Sequence, residues 1–371
     1  MASGRRVVLF SGSYLGSKRR TSFHHLAFAF HRLGWDVTLV TAPISRLSKL
    51  RGDYRFEYPV VEEANRLVTV DERLRSYVLM TSWQPGNLHS RLANRLSAPL
   101  FRRYADVSLG PLAEVLPAAD LIVLENTYVL LFVERLRKLA PHARLVYRAA
   151  DDPRSIAVHP LLLEAEAEAV AEVDLASVAT RQIAEALEPY GEVHVHPQAV
   201  DKAAFDRVSS SPYRGDRPVA IFVGVTRRFD HPTLTLAAEL APHVAFHVVG
   251  LPSLPAPPNV TFQPELPFEE VTPYLTHATY GLLFFPPGYA SLGSGNKVAQ
   301  YSYSRLPFVA PSHLEAEREN ACIYERGDEA SLAAALAAAE RMPHLPSFAD
   351  GIWSWEELAG VLAGDDSRAA P

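Results

Sequence analysis

Cysteine is almost missing from this 371-residue chain, with Cys322 standing alone. One thiol excludes intramolecular disulfides and any cysteine-built metal site, and it suits a reducing cytoplasm. No apolar run approaches the ~20 residues of a membrane-crossing helix. The nearest, Leu121 to Val133, contains Glu125 and Asn126. The N-terminus enters the run Val7-Val8-Leu9-Phe10 without the apolar core of a signal peptide. Internal repeats, low-complexity tracts, a His-Glu-x-x-His pair, a Ser/His/Asp order and a Cys/His cluster are all missing. What remains is ordinary for a globular protein, 48% hydrophobic and 21% charged, and long enough for two domains.

The net charge of −6 conceals an asymmetry. Residues 1–105 hold 17 Lys/Arg against 7 Asp/Glu, a net +10, whereas the remainder holds 19 against 35, a net −16. A basic first third on an acidic protein points to an anionic partner for that third. A membrane surface, a lipid-linked pyrophosphate and nucleic acid are the candidates.

Strand and helix patterns alternate along the whole chain. Val7–Phe10, Val37–Val40, Leu121–Leu124, Ala143–Tyr147, Leu175–Ala179 and His194–Pro197 read as strands. Phe23, Leu26, Ala27, Phe30 and Leu33 recur at helical spacing before Gly34, a stop signal. Further helices are expected at about 128–139 and, solvated, at 161–171. The stretch 209–218 reads as a linker. A second alternating series follows, with strands at 220–223, 245–249, 260–262, 281–285 and 308–310 and helices at 330–341 and 353–362. This pattern predicts two doubly wound α/β domains whose ligands bind at the carboxyl ends of strands, in the cleft between them. The expected division is 1–205, 217–345 and a C-terminal helix and tail, 346–371, placed to pack back on the first domain.

Several residues stand out as chemistry. Lys297 lies on the first turn of a helix that follows Ser294 and Gly295, where unpaired amides and the helix dipole suit a phosphate. The spacing is not that of a P-loop, and a plain surface lysine fits the same pattern. Asp151 follows the strand Leu145-Val146-Tyr147 at the carboxyl edge, where a carboxylate can act as a general base. An Asp just before Pro153 can equally be a helix cap. The loop Gly12 to Arg20 is glycine-bearing and basic through Lys18, Arg19 and Arg20, and Arg46, Lys49 and Arg51 form a second basic cluster. Leu88, Leu92, Leu96 and Leu100 make one stripe of a helix expected over 88–104 and kinked or broken at Pro99. Arg91, Arg95, Arg102 and Arg103 lie off the stripe, a pattern that fits an anionic bilayer or a core-facing helix. Glu125 ends an apolar strand as a cleft carboxylate or a paired structural one.

Together these segments resemble the GumK family, bacterial glucuronosyltransferases of xanthan assembly. The resemblance runs in order through Lys18-Arg19-Arg20, Ser45-Arg46-Leu47-Ser48-Lys49 with Gly52-Asp53, and Glu125. It continues through Tyr147-Arg148-Ala149-Ala150-Asp151, Tyr289-Ala290-Ser291, Lys297, Gln300-Tyr301, Leu306-Pro307 and Trp355. It implies a GT-B, inverting, metal-independent transferase without a resident cofactor, peripherally attached at the cytoplasmic face of the inner membrane. Such enzymes move glucuronate from UDP-glucuronate to a polyprenyl-pyrophosphate-linked oligosaccharide in exopolysaccharide synthesis. Asp151 then matches the base. Lys297, Gln300, Tyr301, Tyr289, Ser291, Gly224, Thr226 and Arg227 fall on the donor side. Lys18, Arg19, Arg20, Arg46, Lys49 and Glu125 fall on the acceptor and membrane side. The partners are a UDP-sugar, the lipid-linked glycan and an anionic membrane surface, with nucleic acid excluded. The sequence departs from the family at Leu292, where a glutamate is expected, at the turn Gln198 to Asp201, and after Gly224. Those changes bear on the donor sugar. A UDP-sugar 2-epimerase of the same fold and a non-catalytic sugar-nucleotide-binding subunit of a polysaccharide assembly complex are the alternative functions.

Overall fold

Short apolar runs buried on both faces become parallel strands, because helices can then cover each side. The computed structural model follows that rule across the residues it describes, which are 4–207, 209–224, 229–287, 294–314, 316 and 318–365. These form two units, 4–197 with 355–365, and 198–354.

The first unit holds β1 (Arg6–Ser11), β2 (Asp36–Ser45), β3 (Leu67–Asp71), β4 (Leu74–Thr81), β5 (Leu121–Glu125), β6 (Arg144–Ala149), β7 (Leu175–Val178) and β8 (Val193–Val195). Their order in the sheet is β3-β4-β2-β1-β5-β6-β7-β8. All pairs are parallel except β3 with β4. The chain winds outward from β1 in one direction and then returns to β5 on its other side. The crevice beyond the carboxyl ends of β1 and β5 is therefore the switch point of the sheet, the usual ligand position in this architecture.

The second unit holds β9 (Val219–Val223), β10 (Ala245–Val249), β11 (Val260–Gln263), β12 (Tyr280–Leu282), β13 (Phe308–Pro311) and β14 (Ala321–Tyr324). They are ordered β11-β10-β9-β12-β13-β14 and all parallel. The switch point here lies between β9 and β12.

Helices close each unit. The Ser22–Arg32 helix is capped by Thr21, whose backbone N–H is accepted by His24 Nδ1 at 3.1 Å. It ends at Leu33 and Gly34, whose φ of +88° is the left-handed conformation that glycine accepts cheaply. The Trp355–Ala363 helix belongs to this unit too. The Trp355 ring stacks on His25 with centroids 5.3 Å apart, and Arg32 Nε donates to Glu356 at 2.6 Å. Arg148, fully buried on β6, pairs with no carboxylate among the described residues. It donates instead to Ser177 Oγ at 2.9 Å and the His196 carbonyl at 2.7 Å.

Three expectations change. The Arg91–Arg102 helix runs through Pro99 instead of breaking there. Both Pro99 and Arg95, whose carbonyl loses its helical donor, sit on the exposed side, where the lost bond costs least. The Pro160–Glu172 helix, expected to be solvated, buries Leu161, Leu162, Ala165, Glu166, Ala169 and Val170. The hairpin of β3 and β4 went unforeseen because β3 is mostly exposed and carries no clean alternation.

Burial sets the response of this unit to acid. Desolvation lowers His24 from 6.5 to about 4 and His25 to about 3, with Arg20 and, for His25, Arg32 adding repulsion. The folded state binds these protons later than the unfolded chain does. The stability they confer is complete above pH 6.5 and is lost as pH falls below it. Each histidine contributes about 1.4 kcal/mol of loss per pH unit until its folded value is reached. His25→Phe should flatten the melting-temperature curve between pH 6.5 and about 5. An unchanged slope in thermal melts would refute the assignment.

Candidate functional site

In the first unit the switch point is built by a carboxylate and a glycine. Glu125, the last residue of β5, accepts from Ser11 Oγ at 2.9 Å and from the Gly12 amide at 2.6 Å. Burial pushes its carboxyl up, the Gly12 and Ser11 donors oppose that, and the charge of Asp151 adds to it. Arg55 locks the floor. Its guanidinium donates to the Gly12 carbonyl at 2.9 Å and pairs with Asp53 at 2.6 Å. Burial alone would raise Asp53, but the Arg55 hydrogen bond and charge hold it below the usual carboxylate range. Neither Arg55 nor Asn126 stood out in the sequence, since each acts through a contact made only in the fold.

Asp151 lies two residues beyond β6 and is exposed. Its carbonyl accepts from Asn126 Nδ2 at 2.5 Å. The capping role is filled by its neighbour, because Asp152 Oδ1 accepts from the Arg154 amide at 2.9 Å. Asp151 stands at the carboxyl edge of the sheet, near enough to Glu125 for its charge to raise the Glu125 carboxyl.

The basic residues divide. Lys18 is exposed, while Arg19 lies over the Tyr54 ring at 4.6 Å and Arg20 over Phe28 at 4.8 Å. Arg46 and Lys49 are exposed on the Arg46–Leu50 helix. The Arg91–Arg102 helix is docked by its polar side. Asn94 is buried and binds the Leu88 amide at 2.9 Å, Ser97 meets His159 at 3.1 Å, and Phe101 packs against Trp83 and His159. Its leucine stripe faces outward, with Leu92 67% and Leu96 72% exposed, beside exposed Arg91, Arg95 and Arg103.

In the second unit Lys297 occupies the first turn of the Ser294–Tyr303 helix. Its ammonium lies over the rings of Phe222 and Phe285, 5.7 and 5.5 Å from their centroids, at the carboxyl side of β9 and β12. A Cβ on Gly224 would come within 3.3 Å of Lys297 Cε, so the glycine admits the lysine to the switch point. Gln198 touches the same helix start, where a Cβ on Gly295 would lie 3.5 Å from its Cγ. Gln300 is half-buried one turn further on. Tyr301 departs from its expected donor-binding role. It is buried, and its hydroxyl is consumed by the strand carbonyls of Leu282 at 3.0 Å and Ile221 at 3.3 Å. It braces β12 through Gly281, whose missing side chain gives the ring its place. Tyr289, Ser291, Leu292, Thr226 and Arg227 lie outside the described residues. Among the described residues no three His, Cys, Asp or Glu side chains gather as a metal-holding group. No described helix is long and apolar enough to cross a membrane.

Comparison with known proteins agrees with this fold. Residues 9–179 match the family described as Glucuronosyltransferase GumK, N-terminal domain. The UDP-glucuronate:glycolipid 2-beta-glucuronosyltransferase of Xanthomonas campestris pv. campestris is 28% identical over 355 residues, spanning 93% of this chain and 87% of that protein. Two solved structures show the same fold at low identity. Sucrose-phosphate synthase from Thermosynechococcus elongatus aligns with a TM-score of 0.67 at 15% identity, over 97% of this chain and 98% of its own. An alpha,alpha-trehalose-phosphate synthase (UDP-forming) from Burkholderia vietnamiensis gives 0.62 at 14%, over 98% and 94%. The two largely parallel sheets and these likenesses give the chain the GT-B fold of glycosyltransferases, with residues 9–179 similar to the GumK N-terminal domain.

Proposed function

We propose that this glycosyltransferase moves glucuronate from UDP-glucuronate, with inversion, to a polyprenyl-pyrophosphate-linked oligosaccharide in exopolysaccharide synthesis, working peripherally at the cytoplasmic membrane face. The observation that carries this reading is the placement of Asp151, an exposed carboxylate at the carboxyl edge of the first unit's sheet, with the capping task taken by Asp152. In the proposed step Asp151 accepts the proton of the acceptor hydroxyl. That oxygen bonds to the anomeric carbon as the bond from the anomeric carbon to the UDP oxygen breaks, and UDP leaves with the electron pair. Lys297 and the amides of its helix start balance the diphosphate charge, so the reading includes no metal and no cofactor. The relative named above is a transferase, which favours transfer over epimerisation or non-catalytic binding.

Two variants separate the roles. Asp151→Asn keeps the shape but cannot take the proton, so turnover should fall ~10²–10⁴-fold while UDP affinity holds. Lys297→Ala should weaken UDP binding by about 1.5–3 kcal/mol, the scale of a hydrogen bond to a charged group. Calorimetry with UDP and transfer assays with UDP-glucuronate check both. Near-normal turnover of Asp151→Asn would remove it from the mechanism, and unchanged UDP affinity would do the same for Lys297.

The outward leucines support membrane attachment. An apolar stripe flanked by arginines suits an anionic bilayer, where each well-placed Lys/Arg contributes roughly 1 kcal/mol. Leu92→Ser combined with Leu96→Ser should cut partitioning onto anionic vesicles about tenfold or more, since burying a leucine contributes about 1.5–3 kcal/mol. The melting temperature should not move, because both side chains are already exposed. Co-sedimentation that ignores the double substitution, lipid charge and salt would overturn this.

A further inference from the structure

The segment around Asp151 is held by a chain of polar contacts that no step of the proposed reaction uses. Successive residues of a strand point to opposite faces. Tyr147 on β6 therefore turns towards the Pro160–Glu172 helix while Arg148 turns the other way, towards Ser177 and His196. The Tyr147 hydroxyl donates to Glu166, whose side chain has no exposure at all. A carboxylate so deeply placed in an apolar helix face is costly unless it is paired. Its partner is Arg154, with Nη2 3.0 Å from Glu166 Oε2. Burial pushes the Glu166 carboxyl up, and Tyr147 with Arg154 pull it back.

Arg154 reaches the other way as well. Its Nη1 lies 3.1 Å from Asp152 Oδ1, the oxygen that also accepts its own amide, and Ser155 Oγ donates to the Asp152 carbonyl at 2.5 Å. On the sheet side, Asn126 holds the Asp151 carbonyl. The turn 151–155 is thereby clamped at both ends, to β5 through Asn126 and to the helix through Arg154 and Glu166. Asp152 is held within this clamp, and Asp151 is the residue just before it at the carboxyl edge of the sheet.

We propose that Glu166 is a positioning residue for Asp151, holding through Arg154 and Asp152 the turn that presents the base. The inference rests on the assignment of Asp151 as the base. The effect of Glu166 passes through two side chains and the backbone, and a carboxylate displaced by about 1 Å loses up to ~10²-fold in rate.

The test is a double-mutant cycle with radiolabelled UDP-glucuronate and a synthetic polyprenyl-pyrophosphate-linked oligosaccharide. Glu166→Gln keeps the size and an acceptor for Tyr147 but removes the charge that holds Arg154. It should lower kcat about tenfold, with donor KM and UDP affinity within about twofold of the parent. In an Asp151→Asn background it should add no further loss, because the base it positions is already disabled. Amide exchange at Arg154 should accelerate in Glu166→Gln while amides of the Pro160–Glu172 helix stay protected. If Glu166→Gln does not fold, Arg154→Lys, which keeps the charge and loses the two-pronged contact, should give the same non-additive fall. Losses that add in the double variant, or a lower melting temperature with unchanged kcat, would make Glu166 a purely structural residue and overturn the proposal. Full turnover of Asp151→Asn alone would instead show that the base assignment has failed, taking the proposal with it.

Discussion

Parallel strands covered on both faces leave little room for polar chemistry inside the sheet, so it collects in the turns at their carboxyl ends. β1 shows the constraint directly. Val7 to Ser11 are buried, and the first turn beyond them supplies Gly12, whose amide meets Glu125 from the end of β5. In the second unit, Phe222 and Phe285 flank the Lys297 ammonium just past buried strands. Asp151 and Lys297 come from different sheets by the same rule.

The buried polar groups of the first unit follow from that crowding. A carboxylate at the end of an apolar strand must be satisfied locally, and Glu125 is, by Ser11 and Gly12. Glu166 takes a hydrogen bond from Tyr147 and an ion pair from Arg154. Arg148, with a desolvated guanidinium lowered to about 10, donates to a hydroxyl and carbonyls but leaves its Nε without a partner. Such networks are expensive when half made and rigid when complete. Rigidity is useful where a base must meet a hydroxyl within a fraction of an ångström.

The Arg91–Arg102 helix inverts the usual economy of an amphipathic segment. Its leucines would normally pack on the core. Here Asn94 and Ser97 make the docking contacts and the leucines remain outside, a cost that a surrounding lipid phase would offset. The basic excess of the first 105 residues acts in the same direction.

Apolar runs such as Val7–Phe10 and Leu121–Leu124 declared their strands, because burial on both faces writes a continuous signature in the sequence. The family motifs also placed Asp151 and Lys297 at strand and helix ends before any coordinates. The sequence alone could say that Leu92 and Leu96 share a face, since period is local. It could not say that this face turns outward, because that depends on what Asn94 and His159 meet across the fold. Asp151 and Asp152 are chemically equivalent neighbours, and only the fold shows that Asp152 is the one paired with Arg154, which Glu166 also holds. Tyr301 sits four residues from Lys297 on one helix, yet the positions of β9 and β12 make it a core brace and not a ligand contact. The sequence by itself determined which residues carry charge, hydroxyl or apolar bulk at each register. The tertiary structure decided which of them are consumed by neighbours, because hydrogen-bond satisfaction is settled between segments distant in sequence.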